Sequence, residues 1–142
     1  MNLKKLLLLP IGLIVSAAGC AGIGPNATYY MATTSFLYDL SYNSYNVNLN
    51  GKEIGGGFGG ARTTTEVRLG TQEIKWEESN SKKQHQAKNQ VTLTKDDLKG
   101  MKYLAVHIYP DDTIEIKTSN NLPDPTDKGL KWREQIRKTI QK

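Results

Sequence analysis

The residues of this chain that could do chemistry are few, and a glycine loop is the most prominent group among them. The loop, at residues 55–60, reads Gly-Gly-Gly-Phe-Gly-Gly and contains the pattern G-x-G-x-x-G. A dinucleotide site needs such a loop between a strand and a helix N-terminus, whereas here it lies between β-rich segments. We therefore expect either a flexible connection or a contact loop that presents Gly57 and Phe58 to a partner, since glycines let a backbone approach another surface closely.

The histidines and the paired aspartates form no recognisable catalytic pattern. His85 lies in a polar stretch and His107 in an alternating apolar one, and two isolated histidines without cysteine make a poor zinc site. His107 is expected to be a satisfied residue on a sheet face. Asp111 and Asp112 are expected either to build a turn or to offer an exposed acidic contact. No G-x-S-x-G motif is present. The sequence therefore predicts no catalytic residue, no metal, no cofactor and no enzymatic activity.

Charge is concentrated at the C-terminal end. The chain has 142 residues, the size of one domain, and a formal net charge of +5. The basic residues of the last segment are Lys128, Lys131, Arg133, Arg137, Lys138 and Lys142, against Glu134 alone. This charge is too small to argue for a nucleic-acid partner. Arg133 and Arg137 are candidates for contact with an acidic protein.

The N-terminal segment has the pattern of an export signal. Lys4 and Lys5 precede an apolar run, residues 6–18, which is shorter than the roughly 20 residues that span a bilayer as a helix. The end of this segment, Ala-Ala-Gly-Cys at residues 17–20, resembles the lipobox of bacterial lipoproteins. An ordinary signal peptide cut nearby, leaving a free thiol on Cys20, is the alternative.

The lipobox resemblance implies a location and a domain organisation. In that family a peptidase cuts before the cysteine, and fatty acids such as palmitate then acylate Cys20. Because Ala21 rather than aspartate follows, the resemblance implies an outer-membrane lipoprotein that faces the periplasm. The expected organisation is a signal peptide at residues 1–19, a lipidated tether at residues 20–30, and a β-rich domain at residues 31–142.

Period-2 alternation of apolar residues predicts a mainly β fold. The predicted strands are residues 33–41, 45–49, 52–54, 62–69, 71–77, 90–94, 104–108 and 114–116. Asn50-Gly51 predicts a type I′ hairpin turn. Residues 78–88 and 95–100 are expected to be a solvated loop and a turn. Asp127 is the predicted cap of a final helix at residues 129–141. The predicted fold is a single antiparallel β-sandwich-like domain with a C-terminal α-helix.

The order of these motifs supports a second resemblance. A strand reading YNSYNVNLNG, the loop GGGFGG, a segment ending in IKWEE, and a late YLAVHIYPDDTIEIKTSNNLP follow one another. This order resembles small lipoproteins of unknown function found beside type VI secretion phospholipase effectors, in which glycine usually stands at the position of Asp112. The resemblance implies a membrane-anchored immunity lipoprotein that blocks a secreted antibacterial effector. A structural or assembly lipoprotein of the cell envelope is the alternative.

Overall fold

The computed structural model describes residues 28–141, which form ten strands and two helices. The strands are β1 (Thr28–Leu37), β2 (Ser44–Leu49), β3 (Lys52–Glu53), β4 (Thr63–Arg68), β5 (Gly70–Gln72), β6 (Ile74–Glu78), β7 (Gln84–Gln86), β8 (Val91–Leu93), β9 (Tyr103–Ile108) and β10 (Ile114–Ser119). The helices are α1 (Lys95–Leu98) and α2 (Asp127–Ile140). The prediction of a mainly β fold with a C-terminal helix is confirmed.

The strands form two four-stranded sheets and a small two-stranded one. The first sheet has the order β10-β9-β1-β4 and the second has the order β3-β2-β6-β7, while β5 pairs with β8. All pairs are antiparallel except β1 with β9, which run parallel with Phe36 opposite His107. The first sheet is therefore mixed. The predicted hairpin of residues 104–108 and 114–116 corresponds to β9 and β10; β9 is internal, whereas β10 is an edge strand.

The first sheet is covered on both faces. One face shares the main core with the second sheet; this core contains Met31, Val47, Leu49, Ile54, Val67, Ile74, Trp76, Leu93, Leu98, Leu104, Val106, Ile108 and Ile114. The opposite face carries a smaller cluster, which we call the outer cluster. It contains Phe36, Tyr38, Ala105 and Tyr109, and Phe58 and Trp132 pack against it. The alternation of β9 explains this division, because successive side chains of a strand point to opposite faces.

Strand β1 begins and ends earlier than residues 33–41, the range predicted from the sequence. Its central residues Thr33, Thr34 and Ser35 are all buried. Each hydroxyl donates to a backbone carbonyl, on Thr63, Ala61 and Gly55 respectively. A strand buried on both faces, with its polar side chains satisfied internally, does not show the apolar alternation on which the prediction relied.

Two other predictions need correction and one is confirmed. Residues 78–88 are not a solvated loop throughout, because β7 pairs with β6 and places His85 opposite Trp76. Residues 95–100 begin with a short helix, α1, rather than a simple turn, since Thr94 and Asp97 form a capping box. The Asn50-Gly51 turn is confirmed, with φ angles of 53° and 82°.

Helix α2 begins two residues before the predicted start, and its cap is Thr126 rather than Asp127. The Thr126 side chain accepts a hydrogen bond from the Gly129 amide at 3.0 Å. Thr126 is also held by the first sheet's outer cluster, because its own amide donates to the Tyr38 hydroxyl at 2.9 Å. The cap therefore fixes both the start of the helix and its position against the sheet.

Candidate functional site

The glycine loop, residues 55–60, is fixed against β1. The hydroxyl of Ser35 in β1 donates to the carbonyl of Gly55, and that of Thr34 donates to the carbonyl of Ala61, the residue that follows the loop. A Cβ on Gly59 would overlap the ring of Phe36, and the φ of Gly59 is +81°. The glycines therefore permit close packing onto the strand, and the expectation of a flexible connection is wrong.

Close packing of the loop directs Phe58 inward, onto the outer cluster of the first sheet. The Phe58 ring meets Phe36 edge-on, with ring centroids 5.1 Å apart, and meets Tyr38 in the same way at 5.5 Å. From the other side, the guanidinium of Arg133 in α2 lies over the Phe58 ring, 4.2 Å from its centroid. This is a cation–π contact in which Phe58 joins the loop to the helix.

An open cleft of about 310 Å³ lies where the glycine loop, the segment after β1 and α2 meet. It is lined by Leu37, Asp39, Leu40, Tyr42, Asn43, Ser44, Gly57, Phe58 and Arg133. We call it the Arg133 cleft. It brings together three of the residues predicted to contact a partner, Gly57, Phe58 and Arg133, from two distant parts of the chain.

The Arg133 cleft contains one unsatisfied donor. Arg133 Nε is buried and has no hydrogen-bond partner, and no carboxylate within residues 28–141 forms a salt bridge with Arg133. By contrast, Arg137 one turn further along α2 pairs with Glu134. Across the cleft, Asp39 accepts hydrogen bonds from the Ser41 amide and hydroxyl at 2.8 and 2.6 Å. The two charges of the cleft are therefore not paired with each other.

Beside the cleft, His85 lies between two carboxylates and two aromatic rings. Its Nδ1 is 2.8 Å from Asp112 Oδ2 and its Nε2 is 2.7 Å from Glu78 Oε2. The imidazole stacks on Tyr42 and Trp76, with centroids 5.1 and 5.4 Å apart. Burial lowers the pKa of His85, but the hydrogen bonds to Asp112 and Glu78 outweigh burial, so the pKa is raised. The arrangement favours an imidazolium that donates from both nitrogens.

Asp112 combines a left-handed backbone with a side-chain contact to His85. Asp112 has a φ of 64°, a left-handed conformation that glycine adopts most easily. Its carboxylate nevertheless binds His85, and its carbonyl accepts from the Lys88 amide at 2.9 Å. Asp111 accepts from the amide and hydroxyl of Thr113, which builds the turn. Neither aspartate lines the Arg133 cleft.

His107 lies on a sheet face with a hydrogen-bond partner within the protein, as the sequence predicts. Its Nδ1 shares a hydrogen bond of 2.8 Å with Tyr38 Oη, and its ring stacks on Phe36. Burial lowers the pKa of His107 to about 4, so the imidazole is neutral. The network continues from Thr126 to Tyr109 Oη at 3.0 Å and from there to Glu115 at 2.7 Å. These contacts hold α2, and with it Arg133, against the first sheet.

Sequence reasoning missed the contributions of Asp39, Tyr42 and Asn43 to the cleft, and the environment of His85. The polar turn signals of residues 39–44 gave no sign that this segment faces the glycine loop. Residues 28–141 contain no group of three or more His, Cys, Asp or Glu side chains that could hold a metal ion. The same residues contain no helix both long and apolar enough to cross a membrane. Cys20 lies outside the described residues, so its lipidation stays a prediction.

Comparison of the chain with known proteins finds no matching protein family, no matching curated protein and no matching solved structure. The geometry of the Arg133 cleft and the sequence patterns described above are therefore the features from which function is inferred.

Proposed function

We propose that this protein is a non-enzymatic binding protein of the bacterial cell envelope, anchored to the outer membrane through Cys20 and facing the periplasm. The observation that carries the proposal is the convergence of Gly57, Phe58 and Arg133 on one open cleft. The cleft is built from a closely packed loop and a capped helix, and such fixed surfaces lose little conformational entropy when a partner binds.

The specific form that we propose is an immunity lipoprotein, which protects its producer by blocking a secreted antibacterial effector. Two sequence features support this form: the resemblance to lipoproteins found beside type VI secretion effectors, and the predicted lipid anchor at Cys20. The open shape of the cleft supports a protein partner, since small-molecule sites bury most of the ligand surface. The basic residues of α2 would speed association with an acidic effector surface.

The test measures binding and protection together. Residues 21–142 retain every described element, and we expect them to bind the effector encoded by the adjacent gene and to inhibit its activity. Deletion of the chromosomal gene should make cells sensitive to attack by sister cells that secrete this effector. If no neighbouring product binds and the deletion strain is no more sensitive than its parent, the immunity proposal is wrong. A structural or assembly role in the envelope then becomes the better explanation.

A further inference from the structure

We infer that the Arg133 cleft takes a single carboxylate from the partner, an aspartate or glutamate side chain carried on a protruding segment. This inference rests on the proposed binding function and names the chemistry of its central contact.

The guanidinium of Arg133 lies against an aromatic ring but lacks an acceptor. Its Cζ is 4.2 Å from the centroid of the Phe58 ring, and its Nε is buried without a hydrogen-bond partner. A buried donor that is left unsatisfied is unfavourable, and such groups in folded proteins usually have a functional explanation. The buried Nε is closed to another molecule, but the terminal nitrogens of Arg133 form no salt bridge within residues 28–141. A carboxylate matches them best, because its two oxygens can accept from two N–H groups at once.

No acidic residue of residues 28–141 pairs with Arg133. Glu134, next to Arg133 in the chain, pairs with Arg137, and Asp39, which also lines the cleft, accepts from Ser41 through Oδ1. Arg133 is therefore available to an acid carried by another molecule. Because Arg133 is the one cation among the described residues that line the cleft and Asp39 adds a negative charge there, the cleft suits one carboxylate rather than a run of acidic residues.

The inference can be tested without knowing the effector, using two short blocked peptides as probes. One is a glycine tripeptide with a central glutamate, and the other carries glutamine at the same place. We expect the glutamate peptide to shift the backbone amide resonance of Gly57, which also lines the cleft, saturably in isotope-labelled residues 21–142. Its affinity should be about fivefold or more above that of the glutamine peptide. Equal shifts with both peptides would overturn the inference.

Matched variants separate a specific site from general attraction to a basic helix. Arg133→Gln and Lys131→Gln each remove one positive charge from α2, but only Arg133 lines the cleft. Arg133→Gln should weaken binding of the glutamate peptide about tenfold, whereas Lys131→Gln should change it by less than about twofold. Phe58→Leu, which removes the ring beneath the guanidinium but keeps an apolar side chain, should weaken binding severalfold. If Arg133→Gln and Lys131→Gln weaken binding of the glutamate peptide equally, the attraction is nonspecific and the carboxylate site is refuted.

The outcome is distinguishable from that of the immunity test. If the protein binds the glutamate peptide through Arg133 but binds no effector, the carboxylate site is supported and the immunity function is refuted. Conversely, if the effector binds Arg133→Gln as tightly as it binds the unmodified protein, the partner uses another surface and the carboxylate site is not its contact.

Discussion

Gly129 of α2 lies directly against the ring of Tyr38, so close that a Cβ at position 129 would overlap the ring atoms Cε1 and Cζ. Glycine in a helix interior normally costs about 1 kcal/mol relative to alanine. Here the missing side chain lets the helix approach the outer cluster of the first sheet. The same approach brings Arg133, one turn further along, over Phe58.

This contact predicts that Gly129→Ala destabilises the protein, although alanine is the better helix former. The added methyl group must displace the Tyr38 ring, and overpacking of this kind costs about 1 to 3 kcal/mol. Urea unfolding should show the loss. Lys131→Ala, an exposed substitution in the same helix, serves as control and should change the free energy of unfolding by less than about 0.5 kcal/mol. A more stable Gly129→Ala protein would mean that α2 is not held by this contact.

A second prediction concerns the hydroxyl of Tyr38, which bonds both His107 and the Thr126 amide. Tyr38→Phe leaves both of these buried groups without their partner, and we expect a loss of about 1 to 3 kcal/mol in the free energy of unfolding. Tyr45→Phe removes a hydroxyl from an exposed tyrosine and should be nearly neutral. Equal effects of the two substitutions in chemical denaturation would contradict the network.

A third prediction is a pH dependence of stability that comes from His85. Because the folded-state pKa of His85 is raised above its usual value, the stabilisation from its charged form is complete below the unfolded-state pKa and is lost as the pH rises through the folded-state pKa. The difference in free energy of unfolding between the unmodified protein and His85→Gln should therefore shrink as the pH rises above about 6.5, the usual pKa of histidine. A difference that grows over this range would refute the charged arrangement.

A fourth prediction follows from the left-handed backbone of Asp112. Asp112→Gly relieves a left-handed backbone conformation, which costs most residues about 1 kcal/mol. It also removes the carboxylate that accepts from His85, and a charge-assisted hydrogen bond of this kind contributes about 1.5 to 3 kcal/mol to stability. The variant should be less stable than the unmodified protein near pH 6, and the deficit should be smaller at a high pH, above the raised folded-state pKa of His85. Thermal unfolding at the two pH values measures this. An equal loss of stability at both pH values would show that the charge of His85 does not contribute to the interaction.

A fifth prediction concerns the anchor. Cys20→Ser removes the thiol that the predicted lipidation requires, so fatty-acid labelling should disappear and an unprocessed precursor should accumulate. Several acyl chains, each stabilised by about 0.8 kcal/mol for every buried methylene, would otherwise hold the protein firmly in the membrane. Labelling of the Cys20→Ser protein equal to that of the original would mean that the lipobox interpretation is wrong.

Local patterns were sufficient to predict some elements of this fold but not its site. The β9–β10 hairpin shows clear alternation, Asn50-Gly51 has the residues of its turn, and α2 has a helical pattern. Strand β7 was missed because Gln84, His85 and Gln86 are all polar, and the partners that bury His85 are distant in sequence. The contact of Phe58 with Arg133 has no local signal, since it depends on how α2 packs across the first sheet.

Strand β1 separates the Arg133 cleft from the N-terminal end of the domain, where a lipid anchor would be attached. The strand starts at Thr28, a few residues after Cys20, and ends at Leu37, which lines the Arg133 cleft. Ten residues of extended strand cover about 30 Å, so the start and the end of β1 lie near opposite ends of the sheet. In a protein lipidated at Cys20, the tether would enter at the near end and the cleft would open at the far end. A partner bound in the cleft would then lie at the end of the domain away from the lipid attachment.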